Sequence, residues 1–289
     1  MVTAPEQTLK QALAWAVAQL QESVASDTGD ARTDAEYLLM HVLRCSRSRL
    51  ITDADMLLSP AIWQVFQTQV ARRQTGEPVA YITGTRGFWT LDLSVTPDVL
   101  IPRPETELLV ESVLAMADNN TGLTVVDLGT GSGAIALAIA SERPNWRVLA
   151  TDASAAALQV ARLNAALSKL AHVEFLQGSW CDALPAGLSP DIIVSNPPYI
   201  APDDPHLQQG DLRFEPRSAL SAGDDGLKDI RHITTEAGKL LHAGGVLLLE
   251  HGYRQAQAVR DIMIAAGFEQ VRSLRDLGGH ERVTQGVRR

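Results

Sequence analysis

Asn196, Pro197, Pro198 and Tyr199 bring an amide, two rigid rings and an aromatic face into four consecutive positions. Each proline fixes its own φ near −65° and confines the residue before it to extended geometry. Asn196 and Pro197 each precede a proline and are therefore both held extended. The Asn196 side-chain oxygen and the Pro197 carbonyl can then face one small space as two acceptors. Two acceptors side by side match a planar NH2 group, which carries two donors. Tyr199 adds a surface for a planar group to pack on. The segment reads as a clamp for an sp2 amino or amide nitrogen. Its plainer alternative is loop punctuation, the commonest use of Asn-Pro and Pro-Pro pairs.

Five residues before it, from Asp191 to Ser195, read as a buried strand, so the clamp falls at the carboxyl edge of a sheet. A second informative turn lies upstream. Val125-Val-Asp-Leu-Gly-Thr-Gly-Ser-Gly133 is a strand running into glycines at 129, 131 and 133, followed by an apolar helix. Such glycines let the backbone turn sharply and approach a ligand closely. The pattern alone is weak, because dinucleotide enzymes use the same turn to cradle a pyrophosphate. Asp127 disfavours phosphate. It suits a ligand carrying an ammonium group, or acts through water or by holding the glycine loop. Asp152, ending the next strand, is placed to accept two ribose hydroxyls; its alternative is the N-cap of the following helix. Trp180 stands where an adenine ring would lie, or anchors the core.

These residues need a sheet to hold them. From residue 124 onward strands are expected at 124–128, 147–152, 173–177, 191–195, 245–250, 268–273 and 281–287, with helices near 134–141, 153–167, 226–241 and 255–265. The last two strands are joined by a short stretch containing Gly278 and Gly279. They must pair antiparallel, since a parallel crossover needs a dozen or more residues. An α/β fold follows: a Rossmann-like seven-stranded sheet with one antiparallel strand, the layout of many methyltransferases.

Residues 1–75 read as helices, with Leu9, Leu13, Val17 and Leu20 at helical spacing, then Tyr37, Leu38, His41 and Val42. Ser59 as N-cap and Pro60 at the first helical position open another, carrying Ile62, Val65, Phe66, Gln69 and Val70. Between them and the sheet, Val79 to Ile82 and Phe88 to Val95 are expected as the two strands of a hairpin turning at 83–87. The expected organisation is a helical domain at 1–75, a hairpin linker at 76–100 and a catalytic domain at 101–289.

Composition narrows the function. The 289 residues carry a net charge of −9 and are 45% hydrophobic. That disfavours binding driven by phosphates, which needs a clustered basic surface. Arg44, Arg47 and Arg49, and the pair Arg72 and Arg73, read as solvated helix ends. No apolar run approaches the roughly 20 residues of a membrane span, and residues 1–10 lack a signal-peptide pattern. Cys45 and Cys181 lack metal-ligand spacing and read as reduced thiols of a cytoplasmic protein. The histidines show no metal-ligand spacing either, so no metal is expected.

Taken together, Ile101-Pro-Arg-Pro-Glu-Thr-Glu-Leu-Leu109, the turn at 127–133, Asp152, Trp180 and the clamp closely resemble the release-factor glutamine N5-methyltransferases. Gly76-Glu-Pro-Val-Ala-Tyr-Ile-Thr-Gly84 and the helical N-terminus extend the resemblance over nearly the whole chain. The glycine turn and the clamp are shared with many amino-group methyltransferases; their combination with the Pro-Arg-Pro-Glu-Thr-Glu segment is far more specific. One departure is Ser179, where family members often carry Asp before the tryptophan.

The resemblance implies methyl transfer from S-adenosylmethionine, leaving S-adenosylhomocysteine, to the side-chain amide of the glutamine in the Gly-Gly-Gln loop of peptide chain release factors, tuning translation termination. It implies that Gly129, Thr130, Gly131, Ser132, Gly133, Asp152, Trp180 and Asn196 hold the cofactor. Asn196, Pro197, Pro198 and Tyr199 hold the glutamine, with Asn196, Pro197 and Tyr199 acting in catalysis. The helical domain would recognise the release factor, and a monomer that binds neither membrane nor nucleic acid stably is expected. Alignment alone can contribute roughly 7–11 kcal/mol to such a transfer. The alternatives are a DNA or RNA exocyclic-amino methyltransferase, an NAD-dependent oxidoreductase and an inactive binding protein.

Overall fold

The computed structural model describes residues 7–23, 30–118 and 121–289. The first residues of the expected helical domain, 1–6, and the stretch 24–29 lie outside the described residues. The chain divides into two compact units: one runs to Gly84 and includes Gln208–Phe214, the other comprises Thr85–Leu207 and Glu215–Arg289.

The first unit is built on α1 (Leu9–Gln21), α2 (Ala31–Leu43), α3 (Arg47–Thr52), α4 (Pro60–Gln74) and α5 (Val79–Thr83). Thr8 and Gln11 form a reciprocal capping box at the start of α1, and Ser59 Oγ caps α4 by accepting from the Ile62 amide. The buried stripe of α1 is Leu9, Ala12, Ala16 and Leu20; the alanines let α2 approach closely. In α2 the buried residues are Ala35, Glu36, Leu38 and Leu39, whereas Tyr37 is 55% exposed. The expected face was thus displaced, because Ala and Glu are silent in a hydrophobic pattern.

Glu36 is buried with its carboxylate accepting from Arg32 at 3.0 Å and Arg47 at 2.7 Å. Arg73 is also buried, not a solvated helix end. It binds Asp34 at 2.8 Å, Asp211 at 3.2 Å and the carbonyls of Gly76 and Glu77. These bonds tie Gln208–Phe214 to the helices of the first unit. Arg49 pairs with Asp53 and Arg72 with Glu77, so the arginine clusters are largely spent on carboxylates.

The expected strand at 79–82 is the helix α5. Its β-branched residues favour a strand, but Pro78 fixes the entry and its carbonyl accepts from the Tyr81 and Ile82 amides. Burial of Ala80, Tyr81 and Ile82 outweighs the local preference. Gly84, at φ +73°, ends the turn. The hairpin is instead β1 (Thr85–Phe88) paired with β2 (Leu91–Ser94). It turns at Trp89, whose φ of +58° is held by bonds from its amide to Glu107 and from its indole to Glu142. Sequence placed the turn at the glycines; two distant carboxylates placed it at a tryptophan.

The second unit continues with α6 (Glu107–Leu114), β3 (Thr124–Leu128), α7 (Ala134–Glu142), β4 (Arg147–Asp152), α8 (Ala155–Leu167), β5 (Glu174–Gln177) and β6 (Ile192–Ser195). It ends with α9 (Lys228–Leu240), β7 (Val246–Glu250), α10 (Ala256–Ala265), β8 (Phe268–Arg275) and β9 (Glu281–Arg288). Among the described residues the sheet has seven strands in the order β5-β4-β3-β6-β7-β9-β8. Only β9 runs against the direction of the other strands, and it lies between β7 and β8, pairing antiparallel with both. Side chains alternate between two apolar layers: Val125, Ile192, Val194 and Leu248 face one, Val126, Ile193, Leu247 and Leu249 the other. Both faces are covered, which is why these strands read as continuous apolar runs.

The chain winds outward from β3 through β4 to β5, then returns to add β6 on the other side of β3. The carboxyl ends of β3 and β6 therefore diverge into connections on opposite sides, the place where open α/β sheets bind ligands. The register sets Leu128 beside Ser195 and beside Thr151, so the glycine turn, Asp152 and Asn196 leave neighbouring strand ends.

Candidate active site

A cavity of about 410 Å³ opens at these strand ends, lined by residues of the second unit. Gly129, Thr130, Gly131 and Ser132 form one wall, Asp152, Ser179 and Trp180 another, and Thr106, Asn196 and Pro198 face them across the space.

The glycine turn is fastened at several points. The Gly129 and Thr130 amides both donate to the Thr151 carbonyl at 2.9 Å. Gly129, Gly131 and Gly133 have φ of +73°, +56° and +86°, a region that costs other L-residues about 1–2 kcal/mol. A Cβ on Gly129 would also stand 2.8 Å from the Trp180 ring. Gly133 does not line the cavity. Its missing Cβ makes room for Leu137 and Ala161, so it serves the packing of α7 on α8.

Asp127 is fully buried and off the cavity wall. One carboxylate oxygen accepts from the Thr130 hydroxyl at 2.6 Å. Burial pushes its pKa up to about 7, against the lowering effects of Thr130 and the Ala136 amide. Of the roles open from sequence, the bond from Thr130 carries the loop-holding one. Direct contact with an ammonium group requires a carboxylate at the wall, and none is there at 127.

Asp152 reaches the wall. Its oxygens accept one backbone amide each, from Gly131 at 2.9 Å and Ser154 at 2.8 Å. The N-cap of α8 is Ser154, which accepts from the Ala157 amide, so capping is not what Asp152 does. Trp180, with φ +47°, presents its ring to the cavity.

Asn196 lines the cavity with its side-chain NH2 already committed to Thr106 Oγ at 3.1 Å. Its Oδ1 accepts none of the described hydrogen bonds and is the group left for a ligand. Pro198 is also on the wall, while Pro197 is buried and outside the lining. Tyr199 is not in the lining either. Its hydroxyl lies 3.4 Å from Glu250 Oε1, and its carbonyl accepts from Gln255. Burial and the Glu250 charge push the phenol well above its usual range.

Several residues around the cavity were not legible in sequence. Thr106 orients Asn196 and sits inside the Pro-Arg-Pro-Glu-Thr-Glu segment. Arg103, in the same segment, pairs with buried Glu215. Ser195 Oγ donates to the Leu128 carbonyl at 2.6 Å and joins the two diverging strand ends. Asn164, buried in α8, donates to the Ser132 and Ser94 carbonyls and accepts from the Ser94 amide. A lone Asn inside an amphipathic helix gives no sequence signal for this.

Glu250 and His251 end β7. Burial raises the Glu250 carboxyl to about 7, while Thr106 and Arg282 pull it down. His251 is buried, bonded to the Gly252 carbonyl and Thr284 hydroxyl, and burial lowers its pKa. Cys45 and Cys181 are both free. Among the described residues no metal-binding group of His, Cys, Asp and Glu occurs, and no helix is long and apolar enough to cross a membrane.

The architecture recurs in a methyltransferase from Pyrococcus furiosus, 18% identical, with a TM-score of 0.53 over 76% of this chain and 98% of that one. Residues 104–210 match the methyltransferase small domain, and residues 11–84 match the PrmC N-terminal domain. The fold is thus one that methyltransferases share.

The sequence is 54% identical to the release factor glutamine methyltransferase of Xylella fastidiosa strain Temecula1, over 88% of this chain and 92% of the relative. It is 46% identical to that of Escherichia coli K12, over 94% and 95% respectively. The chain belongs to the release factor glutamine methyltransferase family.

Proposed function

We propose that the protein transfers a methyl group from S-adenosylmethionine to the side-chain amide nitrogen of the glutamine in the Gly-Gly-Gln motif of peptide chain release factors, in the cytoplasm. The observation that carries this reading is Asn196. It lies on the same cavity as the glycine turn, with its NH2 bound by Thr106 and its Oδ1 left to accept.

The cavity suits the cofactor. Each Asp152 oxygen accepts one backbone amide and keeps lone-pair capacity for one ribose hydroxyl. The absent Cβ of Gly129 lets the Trp180 ring close over the turn as a flat wall for an adenine. Gly129–Ser132 backbone, Asp152 and Trp180 are the residues that would hold S-adenosylmethionine. When bound, that cofactor supplies an electrophilic sulfonium methyl.

On the substrate side, Asn196 Oδ1 accepts one N–H of the glutamine amide. This acceptor turns the nitrogen lone pair away from itself and into the cavity. It also stabilises positive charge growing on nitrogen, so it strengthens in the transition state. Tyr199, braced by Glu250, fixes the end of the clamp. The methylated nitrogen sheds its proton readily, and no dedicated base is required. The helical first unit is assigned to recognition of the release factor.

Transfer of tritiated methyl from S-adenosylmethionine to purified release factor, with DNA and ribosomal RNA as competitors, tests the proposal. Label is expected on the release factor and lost when its Gly-Gly-Gln glutamine is replaced. Label confined to nucleic acid would overturn it.

A further inference from the structure

S-adenosylmethionine carries two positive centres, its sulfonium and its ammonium, and one negative group, its α-carboxylate. Among the described residues lining the cavity, Asp98, Asp152 and Asp229 are acidic and Arg103 is the one cation. The wall and the ligand are thus opposite in sign, with acidic groups for the positive centres and a single guanidinium left over. A carboxylate brought to this wall without a cation would give up its water and meet only repulsion.

Two kinds of donor could receive that carboxylate: backbone amides of the glycine turn, or a charged side chain. The turn is mostly spent. The Gly129 and Thr130 amides donate to the Thr151 carbonyl, the Gly131 amide to Asp152 and the Gly133 amide to the Thr130 carbonyl. Arg103 is not spent. Its Nη2 donates to Glu215 Oε1, while its Nε and Nη1 make none of the described hydrogen bonds. A guanidinium has five N–H donors in a planar fork, so one edge can stay on Glu215 while another takes a second carboxylate.

Arg103 is also held ready. Pro104 confines it to extended geometry, with φ −102° and ψ 142°. Its carbonyl accepts from the Thr106 amide at 3.1 Å, and Thr106 Oγ in turn accepts from Asn196. The Glu215 side chain, 0% exposed, fixes the far end, yet the Arg103 side chain remains 28% exposed and within reach of a ligand. The Gly-Gly-Gln motif makes no rival claim on this charge, because it presents only neutral peptide and amide groups. From this wall we propose that Arg103, oriented by Glu215, binds the methionine carboxylate of S-adenosylmethionine. The inference rests on the reading of the cavity as the S-adenosylmethionine site.

The test is isothermal titration of the full-length protein with S-adenosylmethionine and with decarboxylated S-adenosylmethionine. The second ligand keeps the sulfonium and the amine and lacks only the carboxylate. Wild type is expected to prefer S-adenosylmethionine by about tenfold to a hundredfold, the worth of hydrogen bonds to a charged group. Arg103→Met is expected to bind the two ligands within about threefold of each other, with its affinity for the decarboxylated ligand close to that of wild type. Arg103→Lys keeps a charge but not the fork, and should retain part of the preference.

Equal binding of the two ligands by wild type would overturn the inference without any variant. A preference that survives intact in Arg103→Met would also overturn it, and a raised KM for release factor in that variant would then assign Arg103 to the substrate. If Arg103→Met does not fold, its combination with Glu215→Gln removes both charges of the pair, and the same comparison decides. Failure of wild type to bind either ligand sinks the cofactor reading itself. Binding of both without discrimination sinks only the role of Arg103.

Discussion

Asn196 and Asp127 illustrate how polar residues at similar places in the sequence pattern are used differently in space. Both follow apolar strand residues at a sheet edge, yet Asn196 faces the cavity and Asp127 lies beneath the glycine turn. Asn196→Ala removes an acceptor that strengthens as charge develops, so kcat is expected to fall about 10²-fold. Cofactor affinity should change little, as isothermal titration beside methyl-transfer kinetics will show. Asp127 has the opposite signature, in stability. Its folded pKa of about 7 lies above the ordinary 3.8, so the native state favours the protonated form. The stabilisation is complete below the unfolded value and is lost as pH rises through about 7. Asp127→Asn cannot ionise, so its melting temperature should decline less than the wild type's between pH 5 and pH 8.

At the scale of elements, the site is assembled by cross-links between strand ends and a neighbouring helix. Ser195 joins β6 to β3, the Thr151 carbonyl holds the turn against β4, and Asn164 of α8 holds Ser132 and β2. Asn164→Ala breaks three hydrogen bonds and strands the Ser94 amide and two carbonyls. A loss of about 2–3 kcal/mol in urea unfolding is expected. Because Ser132 lines the cavity, cofactor affinity should drop with it, in contrast to Asn196→Ala. The hairpin makes the same point. Strand propensity marked residues 79–82, but Pro78 and burial made them helical, and Glu107 and Glu142 fixed the turn at Trp89.

For the molecule as a whole, long-range ion pairs decide which segments belong together. Arg73, 138 positions from Asp211, is 2% exposed and binds it together with Asp34. Burial raises the Asp34 carboxyl while Arg73 holds it down. Arg73→Ala leaves that partly buried charge without its partner. It should cost about 3 kcal/mol of stability, and limited proteolysis should open the chain near residues 208–214 first. One arginine of a pair that reads as a solvated helix end thereby anchors a distant segment.

The sequence by itself determined the alternation of strands and helices, the antiparallel last strand, the glycine turn and the clamp motif. These are local properties: apolar periodicity, φ demands and proline restrictions act over a few neighbouring residues. It also carried the resemblance through which the family could be recognised. Tertiary structure alone decided which side chains reach the cavity. Gly133 went to helix packing, Asp127 under the loop and Tyr199 to Glu250, while Thr106 came from 90 positions away to orient Asn196. The reason is physical. A hydrogen bond or a packed ring is fixed by distances that the sheet register creates, and register links residues that no local pattern connects.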